Sequence, residues 1–170
     1  TGRFSWSVGH HKDEITRDDR AFLDGVRQDL QDRFDVDVYL AGFSEGASMS
    51  YDLACGLEHG FSGFFPMSGA FWKPAPQTCI GPAVPIRHRH GDADLTWPIE
   101  GGEGDFSEGK GSAVDALLIA ADSRGCSAEI QQVESCSVWS CELELCTYPG
   151  GHDPPSSWAV EAVQWIREQN

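Results

Sequence analysis

The chain has 170 residues, and 27 acidic residues against 12 basic ones give a formal net charge of −15 at pH 7. This charge excludes nucleic acid and anionic membranes as expected partners, because both are polyanions. No apolar run is long enough for a transmembrane helix. The length suits a single domain over residues 1–170 with a real buried core.

A helix and then a strand are predicted in the first quarter of the chain. Apolar residues at helical spacing predict a helix from about Asp19 to Phe34. The strand-like run Val36–Ala41 follows directly. The predicted buried stripe of the helix consists of Phe22, Leu23, Val26, Leu30 and Phe34.

A G-x-S-x-G pentapeptide, residues 42–46, lies between this strand and a helix-like run from Ala47. A tight strand-to-helix turn exposes the serine hydroxyl at the carboxyl edge of a sheet, and the glycines let the backbone bend. The setting predicts Ser44 as a nucleophile, with the backbone N–H of Glu45 as an oxyanion donor. The alternative interpretation is an ordinary Gly/Ser turn.

Two later predicted strands also end in residues with acid–base chemistry. The run Val84–His90 is followed by Gly91–Asp94, and the run Cys141–Tyr148 is followed by Pro149–His152. The carboxyl ends of strands are where open α/β sheets build their sites. A serine, an acid and a histidine therefore follow one another in the order found in α/β-hydrolases. Asp92 and Asp94 compete for the acid role.

The remaining elements complete an α/β pattern. A strand near Ser62–Met67 is predicted, as is a helix behind a Ser112 cap. A last helix after Pro154–Pro155 is predicted to bury Ala159, Ala162, Val163 and Ile166. Alternating strands and helices imply a parallel sheet covered by helices on both faces, which makes three layers.

Four segments, residues 42–49, 65–72, 85–94 and 149–152, resemble the α/β-hydrolase esterases grouped as polyhydroxybutyrate depolymerases and feruloyl esterases. The helix start at residues 16–23 resembles that group too. The resemblance implies a serine esterase acting through an acyl-enzyme on polyester or feruloyl-type substrates. Its His-Gly-x-x-Asp pattern selects Asp94 as the acid, with Ser44 as nucleophile and His152 as base. No cofactor is implied.

The same resemblance implies strands that this sequence does not contain. Such esterases have roughly three or four strands before the nucleophile strand, and a loop there gives a second oxyanion donor. We expect an N-terminally reduced domain, or one whose upstream piece was removed. The open edge at Val36–Ala41 would then need a cover: an upstream fragment, a second copy of the chain, or the stretch Phe4–Val8. A catalytically silent binding or scaffold domain is the alternative function.

Several other residues have a structural and a functional interpretation. Trp72 and Trp97 follow predicted strand ends and are candidate substrate contacts, although aromatic residues are more often core. His88 and His90 could form a metal cluster with the two aspartates, but packed, hydrogen-bonded histidines are the favoured interpretation. No metal site is predicted.

Six cysteines lack the C-x-x-C spacing of a zinc site, so disulfides in an oxidising compartment are expected. A secreted or periplasmic protein follows from this. Of the possible pairings, only Cys55 with Cys79 is predicted.

Overall fold

The computed structural model of the chain describes residues 5–8, 17–56, 60–103, 109–127 and 129–169. They form four helices and six strands. The elements are α1 (Asp19–Phe34), β1 (Tyr39–Phe43), α2 (Glu45–Cys55), β2 (Gly63–Met67), β3 (Ile86–Gly91), α3 (Ala113–Ser123), β4 (Ile130–Val133), β5 (Cys136–Trp139), β6 (Leu143–Tyr148) and α4 (Trp158–Gln169). Strand β2 is followed directly by β3, and β4 to β6 are consecutive in the chain.

The six strands form one mixed sheet in the order β1-β2-β3-β6-β5-β4. Strands β1, β2, β3 and β6 are parallel neighbours, whereas β5 runs antiparallel to β6 and β4 antiparallel to β5. The predicted all-parallel sheet is therefore wrong at this end. Only Glu134 and Ser135 separate β4 from β5, and so short a connection can join only antiparallel strands.

The two faces of the sheet bury different side chains. Phe64 and Phe65 are consecutive on β2, so they point to opposite faces. Phe64 belongs to a large apolar cluster with residues of α2 and α3. Phe65 packs with Ala162 and Trp165 of α4 in a second, smaller cluster. An α/β fold with apolar residues on both faces of the sheet is thus confirmed.

Helix α1 has the predicted bounds, but its predicted buried stripe is largely wrong. Phe22, Val26 and Phe34 are 61%, 43% and 63% exposed, and only Leu23 among the stripe residues packs against the large cluster. Much of the apolar stripe of α1 is therefore exposed among the described residues, while Leu23 and Leu30 are half-buried.

The predicted buried face of α4 also needs correction. Ala162 is buried and Ile166 packs beside it, as expected, but Ala159 and Val163 are exposed. Trp165 occupies the central buried position instead, and it meets Tyr39 of β1 and Phe65 of β2 edge-on or tilted. Trp165, and not Ala159 or Val163, is therefore the α4 residue that packs on the sheet beside Ala162.

Strand β1 lies at one edge of the sheet and begins three residues later than predicted. Asp35, with a positive φ of 51°, is the C-cap of α1, and strand pairing begins at Tyr39.

A cavity of about 240 Å³ lies beside β1 and is lined in part by Trp6, Leu23 and Trp158. Among the described residues, β1 pairs with β2 only, and 5–8 add no strand. Phe4 lies outside the described residues. A cover for this edge stays a prediction.

Three disulfides fasten the described chain. Cys55 pairs with Cys79, which confirms the one predicted bond, and the others join Cys126 to Cys141 and Cys136 to Cys146. Cys136 and Cys146 are direct cross-strand partners on β5 and β6. No helix in the described part of the chain is both long and apolar enough to cross a bilayer.

The turn between β1 and α2 has no room for a side chain at Gly42. A Cβ there would lie 2.1 Å from the carbonyl oxygen of Gly46, whereas a Cβ at Gly25 on α1 would meet nothing within 4 Å. Gly42→Ala should lower the free energy of unfolding by about 1–3 kcal/mol, the usual cost of overpacking. Gly25→Ala should leave it unchanged or raise it by up to about 1 kcal/mol. Urea unfolding of both variants checks this, and equal stabilities would contradict it.

Candidate active site

Ser44 stands at the sharp turn from β1 into α2. Its backbone has φ 55° and ψ −118°, a conformation that L-residues seldom adopt and that costs on the order of 1–3 kcal/mol. Its N–H donates to the carbonyl of Met67 at the end of β2 (2.9 Å). Gly69 permits this approach, because a Cβ there would lie 2.2 Å from the carbonyl oxygen of Ser44. The neighbouring strand therefore holds the turn in place.

Asp94 lies in the turn that follows β3, and its carboxylate is buried. One oxygen, Oδ1, accepts hydrogen bonds from the backbone N–H groups of Thr96 (2.9 Å) and Trp97 (2.8 Å). These two hydrogen bonds fix the orientation of the carboxylate and leave its second oxygen, Oδ2, available to another donor. They also compensate for the cost of burying a charged group.

His152 lies in the loop after β6 and connects the other two side chains. Its Nδ1 is 2.8 Å from Oδ2 of Asp94, and its Nε2 is 2.9 Å from Oγ of Ser44. The Phe43 ring packs against the imidazole, with 4.8 Å between centroids. Ser44, His152 and Asp94 are thus hydrogen-bonded in series.

Asp92, the alternative acid, has a different position. Its Oδ1 accepts a hydrogen bond from the N–H of Gly150 (3.1 Å), and its own N–H donates to the carbonyl of Tyr148 (3.0 Å). Asp92 therefore ties the turn after β3 to the loop that carries His152. This contact orients the two loops, and it leaves Asp94 as the carboxylate bonded to the imidazole.

The side chain of Glu45 is held by the segment Ser5–Val8. The Ser5 hydroxyl donates to the carboxylate, at 2.6 and 2.8 Å from its two oxygens, and the N–H of Trp6 lies 3.3 Å from Oε2. A charge at the start of α2 is also favoured by the helix dipole. The sequence places this negative charge directly after the nucleophile, but no local pattern indicates its partners, which are 39 and 40 residues away.

Asp19 anchors the same segment from the first turn of α1. Its Oδ2 accepts the N–H of Ser7 (2.8 Å), its Oδ1 accepts Nε of Arg17 (2.6 Å), and Arg17 also donates to the carbonyl of Ser5. Burial raises the pKa of Asp19, but the hydrogen bonds from Arg17 and Ser7 together outweigh it, so this pKa lies below its usual value.

A cavity of about 680 Å³ opens beside Ser44. Three aromatic residues, Trp6, Phe22 and Phe43, line it together with Ser5, Arg17, Asp18, Asp19, Ser44, Glu45 and Gly46. The lining therefore combines aromatic side chains with charged ones. The segment Ser5–Val8 contributes part of its lining.

The two tryptophans predicted as substrate contacts are not among the residues that line this cavity. Trp97 is only 2% exposed, and its Nε1 donates to the carbonyl of Gly111 (3.0 Å). Trp72 packs edge-on against it and lines a separate cavity of about 470 Å³. Their role in substrate binding remains a prediction, and the burial of Trp97 argues against direct contact.

His88 and His90, considered above as metal ligands, are fully buried and hydrogen-bonded to each other. Among the described residues, the one group with metal-ligand spacing is Cys136, Glu144 and Cys146. Its two cysteines form a disulfide, so they are not available as thiolate ligands.

Comparison with known proteins supports the fold. No family model matches the chain, and no curated protein matches it. Among solved structures, it is similar to the crystal structure of esterase PE8, with a TM-score of 0.59 and 22% sequence identity. The match covers 88% of this chain and 59% of PE8. The chain thus has an esterase-like α/β fold and spans about three fifths of the length of that esterase.

The contact between Asp19 and Ser7 should control the order of the segment Ser5–Val8. Asp19→Asn removes the charge, so the Ser7 amide should exchange faster with solvent. The pKa of Asp19 is lower in the folded protein than in the unfolded chain, where it is about 3.9. The stabilisation by the Asp19 carboxylate is therefore complete above the unfolded pKa and is lost as the pH falls through the folded pKa.

Amide exchange followed by NMR measures this effect. Asp29→Asn is the matched control, because Asp29 forms an exposed pair with Arg33 on the same helix and should leave Ser7 unchanged. Equal exchange of the Ser7 amide in both variants would contradict the proposed anchor.

Proposed function

We propose that this chain is a serine esterase of the α/β-hydrolase type, which hydrolyses carboxylic esters through an acyl-enzyme. The observation that carries the proposal is the series of hydrogen bonds from Ser44 through His152 to Asp94. The three side chains follow the carboxyl ends of β1, β6 and β3, where α/β sheets build their sites. The similarity to an esterase fold supports the same conclusion.

The hydrogen-bond geometry supports a proposed role for each side chain. With a proton on Nδ1 donated to Asp94, Nε2 of His152 is an acceptor and takes the proton of Ser44 as Oγ attacks the ester carbonyl. The buried Asp94 carboxylate stabilises the imidazolium that forms. The imidazolium then protonates the departing alcohol, and water hydrolyses the acyl-enzyme through the same histidine.

The start of α2 is the proposed oxyanion site. The N–H of Glu45 follows the nucleophile directly, and the positive end of the helix dipole points to the same place. One such donor contributes about 3–4 kcal/mol of transition-state stabilisation in related hydrolases. Because Ser5 and Trp6 bind the Glu45 carboxylate, its negative charge is partly compensated near the developing oxyanion.

The cavity beside Ser44 is the proposed binding site for the apolar part of the ester. Its aromatic walls, formed by Trp6, Phe22 and Phe43, suit the acyl units of a polyester or a feruloyl group. The three disulfides fit an oxidising compartment. We therefore assign the activity to a secreted or periplasmic protein.

The alternative function is a catalytically silent binding or scaffold domain. One observation favours it: in the described residues β1 is an edge strand, and the loop that gives the second oxyanion donor in these esterases would come from beyond that edge. Ester hydrolysis by the purified protein separates the two functions.

Ser44→Ala should lower kcat for a short p-nitrophenyl ester by at least about 10⁴-fold, because it removes the nucleophile and little else. Ser62→Ala is the control, since this hydroxyl donates a hydrogen bond to the exposed Asp37 side chain, away from Ser44 and His152, and the variant should keep the parent rate. Circular dichroism checks that both variants fold. Parent-like activity in Ser44→Ala would contradict the assignment.

The rate should rise with pH on the acidic side, because His152 accepts a proton only when its imidazole is neutral. The measurement is kcat against pH with saturating ester. A rate that does not change from acidic to alkaline pH would remove His152 from the role of base.

A further inference from the structure

Tyr51, His88 and His90 form a buried histidine chain beneath the candidate active site. The Tyr51 hydroxyl lies 2.9 Å from Nδ1 of His88, and Nε2 of His88 lies 2.8 Å from Nδ1 of His90. The chain ends where Nε2 of His90 lies 2.8 Å from the carbonyl oxygen of Trp97. All three side chains are essentially inaccessible to solvent, and the mechanism above uses none of them.

The direction of every hydrogen bond in this chain follows from its last acceptor. A carbonyl oxygen only accepts, so Nε2 of His90 carries a proton. In a neutral imidazole the other nitrogen is then an acceptor, so Nδ1 of His90 accepts from Nε2 of His88. By the same reasoning Nδ1 of His88 accepts from the Tyr51 hydroxyl. Three neutral side chains thus satisfy one another with three protons in three bonds.

This hydrogen-bonded histidine chain ends at the turn that carries Asp94. Trp97 accepts from His90 through its carbonyl and donates to Oδ1 of Asp94 through its N–H. A single residue therefore connects the imidazole of His90 to the carboxylate. The other oxygen, Oδ2, lies 3.7 Å from Nε2 of His90 but only 2.8 Å from Nδ1 of His152.

We propose that His90 is a positioning residue for Asp94. By donating to Trp97 as a neutral imidazole, it fixes the 94–97 turn and leaves Oδ2 of the carboxylate to His152. The inference rests on the proposed function, because it concerns the geometry of that same site. His88 and Tyr51 keep His90 in one tautomer through their hydrogen bonds.

The electrostatic surroundings favour the neutral form. Burial lowers the pKa of His90; the Trp97 carbonyl and Asp94 oppose this, and His152 adds to the lowering. Burial, with a contribution from His90, holds the pKa of His88 well below its usual value, and burial raises that of Tyr51. With His88 in this tautomer, a second proton on His90 would place two N–H groups face to face; the other tautomer of His88 would instead turn an N–H toward the Tyr51 hydroxyl. A second proton on His90 would also set an imidazolium in competition with His152 for Asp94.

Two substitutions distinguish the donor function of Nε2 of His90 from the acceptor function of its Nδ1. His90→Gln places an amide donor near the position of Nε2 and keeps the bond to Trp97. His90→Asn keeps an acceptor near Nδ1 for His88 but cannot reach Trp97. The Gln variant should retain kcat within about threefold, whereas the Asn variant should lose up to about 100-fold, the scale for a misplaced catalytic group. KM should change little in either variant.

The pH profile and NMR provide readouts that a purely structural role would not move. In His90→Asn the acidic limb of kcat should shift to lower pH, because a loosely held Asp94 stabilises the His152 imidazolium less. The low-field proton resonance of His152 Nδ1–H should weaken in that variant and persist in His90→Gln. Parent-like kcat and acidic limb in a folded Asn variant would overturn the proposal. So would equal losses in both variants with that resonance unchanged.

The parent protein gives a test that needs neither the variants nor activity. Nitrogen-15 shifts should show His88 and His90 as neutral Nε2–H tautomers from about pH 5 to pH 8, where exposed imidazoles titrate. An Nδ1–H tautomer, or a protonated ring, at His90 would refute the inference. Failure of the proposed function would appear separately, as ester hydrolysis that is absent or independent of Ser44.

Discussion

The hydrogen bond between Nδ1 of His152 and Oδ2 of Asp94 is the contact on which the site depends. It joins two loops that are 58 residues apart in sequence. The sheet makes it possible, because Gly91 at the end of β3 is the register partner of Tyr148 at the end of β6. Both loops therefore leave the sheet at the same level. A shift of one residue between these strands would turn the side chains to the wrong faces and separate the acid from the base.

Much of this site could be predicted from the sequence, because its chemical residues follow strand ends. The G-x-S-x-G turn, the acid and the histidine each come directly after a β-like run, and parallel strands bring such ends to one edge. The choice of Asp94 over Asp92 needed a family pattern, since both residues follow β3. In the structure, Asp92 accepts a hydrogen bond from the backbone N–H of Gly150, and Asp94 is hydrogen-bonded to the imidazole of His152.

The features that could not be predicted depend on partners distant in the sequence. The β4–β5 hairpin lies in a cysteine-rich segment where β4 is exposed along its whole length, so no alternation of buried residues marks it. The stripe of α1 has the spacing of a buried face, yet Phe22 lines a cavity beside Ser44. The hydrogen bonds from Ser5 and Trp6 to the Glu45 carboxylate join the N-terminal segment to the start of α2. Helical periodicity shows which residues share a face but does not show what covers it.

Covalent labelling identifies the nucleophile and tests its base without knowledge of the natural ester. The protein would be treated with a fluorophosphonate and digested, and the modified peptide would be sequenced by mass spectrometry. We expect a single adduct on Ser44, formed at a rate that falls sharply in His152→Ala. An adduct on another serine, or labelling of Ser44 at the same rate without His152, would contradict the proposed acyl-transfer site.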